Sequence, residues 1–282
     1  YLAIIKFAKL FRKRVMLYSN GIGPVVGKRN RKLVKLVVDN VDLITLREEF
    51  SAKDLADIGV KKPEIHITAD AAFTLKSVSD ERAREIIEKE EIPLDKEMIG
   101  ISVRQWNKAK YGEKYIKEIA KACDNMAKDG KTIIFIPMEF PKDAEVSKKI
   151  MHYMEEKSFI IKGNYKPNEV LGIVGQMNLI VGMRLHILLF AALKKIPMIG
   201  IVYDPKIEYY LDVLNMPKGG DVRTEEINSK KLTNQIKGMF LGLERYQDIL
   251  EQKLEILLEK ASQNEKLLNE QFKIIRKEKG SV

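Results

Sequence analysis

A single cysteine, Cys123, stands in 282 residues, which leaves no internal disulfide framework and too few thiols for a cysteine-based zinc cluster. Cys123 falls in a helical run and reads as a packing residue rather than a nucleophile. No uninterrupted apolar run reaches the ~18 residues of a membrane span, so none is predicted. The chain opens at Tyr1 without a secretory pattern, and we expect a cytoplasmic location. Acids are nearly missing from the first forty residues, where ten Lys and Arg face Asp39 alone, and this stretch carries nine of the ten net positive charges. Few aromatics interleave with those cations, and the remainder is almost neutral, so a nucleic-acid partner is not expected. The patch is read as a solvated face, with peripheral contact at an anionic inner membrane leaflet as the alternative. With 45% apolar and 32% charged residues, the chain has the make-up of an ordinary globular protein.

What is present is an alternation of short apolar strands and amphipathic helices. A helix is expected over 1–11, then a strand over 14–18, a helix over 31–38, a strand over 42–46, a helix over 51–58 and a strand over 64–68. The charged stretch 76–95, with a helix over 80–91 before Pro93, reads as a connection. A second series follows, with strands at 98–103, 132–137 and 159–162 and helices at 113–128 and 143–155. Two further strands, 177–181 and 198–202, close it, each running into a helix. This predicts α/β architecture with two Rossmann-like domains, 1–78 and 79–240. Strand signals stop at Thr224, and 241–282 reads as a helical segment packed on a domain, with a coiled-coil contact as the alternative.

The chemistry is concentrated at the ends of the last two strands. Gly182-Met183-Arg184-Leu185-His186 spans a strand-to-helix turn, and Tyr203-Asp204-Pro205-Lys206 spans the next. At such turns the first helical N–H groups lack partners and the dipole is positive, which favours phosphate or carboxylate. Arg184 and Arg104 suit an anion because a guanidinium offers two parallel hydrogen bonds, and Lys206 adds a point charge. His186 can exchange a proton near neutral pH, whereas His66 and His152 have no such setting. Asp70, after an apolar strand, is either a hydroxyl base or a turn cap. Gly21 and Gly23 allow close approach to a ligand or serve a tight turn. Arg47 either binds anions or pairs with Glu48, and Asp204 can cap the helix that starts at Pro205.

Six ordered motifs, Asn20-Gly21-Ile22-Gly23-Pro24, Ile44-Thr45-Leu46-Arg47-Glu48, Thr68-Ala69-Asp70, Ile101-Ser102-Val103-Arg104 and the two above, resemble those of polysaccharide pyruvyl transferases. The similarity is strongest to the bacterial type that modifies the cell-wall polymer used in S-layer anchoring, and it runs from Tyr18 to about Leu214. The resemblance implies a GT-B-like fold, phosphoenolpyruvate as donor substrate, no cofactor and no metal. The acceptor it implies is a lipid-pyrophosphate-linked saccharide bearing N-acetylmannosamine. It makes 1–78 the acceptor side and 79–240 the donor side. Arg104, Arg184, Leu185 and Lys206 become donor-binding residues, with Gly21, Gly23 and Arg47 also in contact with substrate and His186 and Asp70 catalytic. The family's opening Gly-Asp-Glu segment is absent and Asn20 stands where relatives have Gln, so an incomplete first domain is expected. The alternative is a GT-B glycosyltransferase using a nucleotide-sugar.

Overall fold

A computed structural model describes residues 1–225 and 227–280. By internal contacts the chain divides into two compact units. The first comprises Tyr1–Thr74 with the stretch from Glu255 onward, and the second is Leu75–Leu254. These bounds differ from those expected at 78 and 240, because the final helix divides between the units instead of forming a segment of its own.

The first unit alternates α1 (Leu2–Leu10), β1 (Met16–Asn20), α2 (Lys28–Val38), β2 (Leu43–Leu46), α3 (Glu49–Ile58) and β3 (Glu64–Ile67). Its three strands lie parallel in the order β1-β2-β3. The middle strand β2 is buried along its whole length, so Ile44 and Leu46 meet Val37, Val38, Leu55 and Ile58 in one core. Packing of that kind requires apolar side chains on both faces of the strand. Helix α1 buries Ile5, packs Leu2 against the same core and leaves Ile4, Phe7 and Leu10 exposed.

The second unit is larger. It runs α4 (Asp80–Lys89), β4 (Met98–Ser102), α5 (Lys114–Lys128), β5 (Thr132–Phe135), α6 (Lys142–Tyr153), β6 (Phe159–Ile160) and α7 (Pro167–Gly175). Then come β7 (Leu179–Gly182), α8 (Leu185–Leu193), β8 (Met198–Val202), α9 (Pro205–Leu214), β9 (Lys218–Asp221) and α10 (Ser229–Phe240). Six parallel strands take the order β6-β5-β4-β7-β8-β9. Successive strands step outward from β4 in one direction and then, from β7, in the other. The reversal between β4 and β7 is the switch point at which open α/β sheets form a ligand crevice at their carboxyl edge. Gly182 sits there, where a Cβ would come within 2.6 Å of the Ile187 side chain and 2.8 Å of Leu188, so only glycine lets α8 fold back onto β7.

Helix α11 (Leu243–Gly280) is 38 residues long, and its buried side chains, Leu250, Leu254, Leu257, Ala261 and Asn264, recur at helical spacing. Among the described residues, no helix is long and apolar enough to cross a membrane.

Candidate active site

Three neighbouring strand ends of the second unit carry the expected cations. Arg104 lies two residues beyond β4, Arg184 two beyond β7 and Lys206 four beyond β8. The Arg104 guanidinium lies against a pair of touching rings, with its Cζ 4.8 Å from the Tyr203 centroid and 5.5 Å from that of Trp106, the two centroids being 4.9 Å apart. Its Nη1 donates to the Tyr203 hydroxyl at 3.1 Å. The loop is pinned by Tyr115, whose hydroxyl donates to the Arg104 carbonyl and accepts from the Trp106 N–H, each at 3.0 Å. Burial raises the pKa of that hydroxyl, which keeps it a donor. Yet Arg104 Nε, Trp106 Nε1 and the Ser102 hydroxyl, all in this segment, are buried without a hydrogen-bond partner. Such a concentration of unsatisfied groups is uncommon away from sites that bind something.

Arg184 is differently placed. It is the residue before α8, in an extended conformation, and its Nε and Nη2 grip the two oxygens of Asp143 at 2.9 and 2.5 Å. Nη2 also reaches Glu139 at 2.7 Å. Asp143, wholly buried, accepts from the backbone N–H groups of Met138 and Glu139 as well. The paired hydrogen bonds expected to face a substrate anion are therefore directed, in this structure, at two carboxylates. Burial alone would lower the Arg184 pKa, but the bonds and charge of Asp143 and Glu139 raise it. Lys142 first, and then Arg184, hold the Glu139 carboxyl down at about 2. Neither acid was singled out in the sequence; Asp143 looked like an ordinary first-turn residue of α6.

His186 is exposed on the first turn of α8, with Leu185 buried beside it. No side chain caps that helix. The next helix is capped, since the Lys206 N–H donates to Asp204 Oδ1 at 2.9 Å and Pro205 occupies the first position. Asp204 thus has the capping role expected of it, and it leads the chain into Lys206, which is half-buried.

The remaining expected residues lie in the first unit. Arg47 Nη1 donates to Asp70 at 2.6 Å, and its Nε to the buried Glu48 at 3.0 Å. Asp70 also accepts from the Ala72 N–H at 2.9 Å, so it caps the turn Ala71–Thr74. Both structural readings, the cap for Asp70 and the Glu48 pair for Arg47, are realised together. At Gly21 a Cβ would lie 2.5 Å from Glu48 Oε1 and 2.8 Å from Arg47 Nε, so the close approach of that ion pair excludes it, whereas Gly23 has a φ of +93° and serves the turn itself. The turn is fastened to α3, with the Ile22 N–H on Ser51 Oγ at 2.8 Å and the Val25 N–H on Asp54 at 3.1 Å.

A comparison with protein families matches residues 1–205 to polysaccharide pyruvyl transferase. The chain belongs to that family. It is therefore a transferase, and family membership brings with it a donor and a saccharide acceptor. No curated protein matches the chain. Among solved structures, a putative UDP-N-acetylglucosamine 2-epimerase from Listeria monocytogenes is 13% identical with a TM-score of 0.68, over 96% of this chain and 72% of that one. MnaA of S. aureus, solved with UDP, is 16% identical with a TM-score of 0.64, over 89% and 67% of the two chains. HepE of Anabaena, solved with UDP and glucose, is 11% identical with a TM-score of 0.64, over 96% and 75%. Likeness at these identities speaks to fold, and it gives this pyruvyl transferase family member the GT-B-like α/β fold read from its sequence.

Beside Arg104, this family member also has a hollow of about 630 Å³ that sequence reasoning missed. It is walled by the loop after β4, Trp106 included, and by α6 residues Lys142, Glu145 and Lys149. The signal available was Trp106 itself, the one tryptophan of the chain, two residues from an expected anion-binding arginine.

Proposed function

We propose that the chain moves the pyruvyl group of phosphoenolpyruvate onto two hydroxyls of a sugar as a ketal. The sugar is N-acetylmannosamine of a lipid-pyrophosphate-linked cell-wall precursor of the S-layer anchoring type. The observation that carries this reading is the pair of arginines following β4 and β7, on either side of the switch point, next to the uncapped start of α8. A three-carbon dianion with a phosphate at one position and a carboxylate at another needs fixed cations of this kind. Arg104 is pre-set by its ring stack. Arg184 offers Nη1, and Nη2 once the half-buried Glu139 gives way.

The reaction requires a proton on the methylene carbon, attack of one sugar oxygen on C2, departure of phosphate, and attack of the second oxygen with loss of both hydroxyl protons. One phosphate leaves for each ketal formed. His186, at the positive end of α8, suits the proton to the departing phosphate. Asp70, bonded to Arg47 Nη1 at 2.6 Å, is kept as the candidate that orients or deprotonates the acceptor. The exposed apolar residues of α1 and the surrounding cations support contact with an anionic membrane surface, where a lipid-linked acceptor resides. Salt-sensitive binding to phosphatidylglycerol vesicles is expected, and equal binding to neutral vesicles would count against it.

Calorimetric titration with phosphoenolpyruvate, run on the intact chain and on Arg104→Ala, tests the donor. Binding that weakens at least tenfold in the variant is expected. Tight binding of UDP-N-acetylglucosamine with none of phosphoenolpyruvate would favour a glycosyltransferase, the alternative suggested by neighbours solved with UDP.

A further inference from the structure

Tyr203 opens the turn after β8, yet its hydroxyl meets Arg104, which follows β4. In the order β4-β7-β8 those strands are not neighbours, so the contact passes over the end of β7, the strand that leads to Arg184.

We infer that Tyr203 is a positioning residue for the donor, holding the Arg104 guanidinium in the one orientation that presents its free nitrogen to the anion. The inference rests on the reading of the chain as a pyruvyl transferase that binds phosphoenolpyruvate at Arg104. A guanidinium carries its N–H groups in one rigid plane, so its grip on a carboxylate or phosphate depends on how that plane is turned. One Nη1 hydrogen is taken by the Tyr203 hydroxyl at 3.1 Å, and Nε is buried where nothing accepts from it. Of the three nitrogens, Nη2 is neither bonded among the described residues nor shut away.

The ring acts with the hydroxyl. It lies closer to Arg104 Cζ than the Trp106 ring does, at 4.8 against 5.5 Å, and Trp106 itself packs on Tyr203 with the planes tilted by 56°. An arginine left loose would have to be ordered as the anion binds, and these contacts order it beforehand. The turn that anchors Tyr203 is itself fixed, because Asp204 accepts from the Lys206 N–H at 2.9 Å. Lys206 rides on the same turn, so one short segment sets the places of two expected donor-binding cations.

The test is calorimetric titration of the intact chain with phosphoenolpyruvate, on the parent, Tyr203→Phe, Tyr203→Leu, Arg104→Lys and the Arg104→Lys/Tyr203→Phe pair. Loss of the hydroxyl in Tyr203→Phe should weaken binding about three- to tenfold, as loss of a single hydrogen bond does. Loss of the ring as well, in Tyr203→Leu, should weaken it by at least about tenfold. Tyr203→Phe keeps the ring on Trp106, so its melting temperature should match the parent's. A lysine has no plane to turn but keeps the charge, so in Arg104→Lys the further change Tyr203→Phe should cost about twofold at most. Equal weakening in both backgrounds, or full affinity in Tyr203→Leu, would overturn the inference. A parent that binds while the tyrosine variants bind as well as it does removes the role of Tyr203 alone. A folded parent that binds no phosphoenolpyruvate removes the donor reading, and the inference with it.

Discussion

Arg184 and Asp143 are joined by two hydrogen bonds, Nε to Oδ2 at 2.9 Å and Nη2 to Oδ1 at 2.5 Å, across 41 residues of chain. The carboxylate is buried to 1% exposure and the guanidinium side chain to 16%. The pair ties the end of β7 to the start of α6, at the strand ends where a donor anion is proposed to bind.

Removing the arginine leaves that carboxylate buried with only two backbone N–H partners. Arg184→Ala should therefore lower unfolding stability by about 3–5 kcal/mol, as broken buried pairs do. Urea denaturation followed by circular dichroism checks this. An unchanged midpoint would mean that Asp143 is fully served by its backbone bonds.

Glu139 occupies Arg184 Nη2 from a side chain 41% exposed. A substrate phosphate must share or displace it. Glu139→Gln removes one negative charge beside the proposed anion site, and phosphoenolpyruvate should bind roughly three- to tenfold tighter at low salt, with the gain fading as salt is added. Calorimetry at two ionic strengths reads both effects. Weaker binding in the variant would show that Glu139 positions Arg184 instead of competing for it.

At the end of α2, Asp39 accepts from Lys35 Nζ at 2.7 Å and from the Lys61 N–H at 2.8 Å. These bonds, Lys35 foremost, bring its carboxyl down to about 2. Because the folded pKa lies below the unfolded one, this stabilisation is present above the ordinary carboxylate pKa of ~3.9 and is lost as pH falls towards 2. Asp39→Asn should lower the melting temperature at pH 6 and shrink its difference from the parent between pH 4 and pH 2. A constant difference across that range would remove Asp39 as the acid-sensitive group.

Asn264 is wholly buried on α11, accepting from Thr68 Oγ1 at 2.8 Å and donating to the Ala69 carbonyl at 3.0 Å. Asn264→Leu strips both bonds and leaves Thr68 to the Leu46 carbonyl alone. A loss of about 1–3 kcal/mol is expected in thermal or chemical unfolding. No loss would show that α11 is held by its leucines only.

The parallel core was legible because β4, β5, β7 and β8 are short, mostly apolar runs buried on both faces, with Ser102 and Thr132 only at their ends. Strand β9, Lys218-Gly219-Gly220-Asp221, carries no such signal; it exists because β8 offers it a partner edge. Helix α7 also went unread, being short and opening on Pro167. The positions of Arg104, Arg184, His186 and Lys206 at strand ends followed from local pattern. Their partners did not, since Glu139 and Asp143 meet Arg184, and Tyr203 meets Arg104, only through the order of strands. In the same way, the sequence left Asp70 open between base and cap, and the Arg47 contact 23 residues away could be seen only once β2 and β3 lay side by side.

The first unit is discontinuous in sequence, whereas the second is one continuous stretch. During synthesis the residue that satisfies Thr68 follows it by 196 positions. At 5–20 residues per second this is an interval of roughly 10–40 s. The nascent chain can thus finish its second unit while the first still waits for Asn264, so the order of completion on the ribosome runs opposite to the order of the sequence.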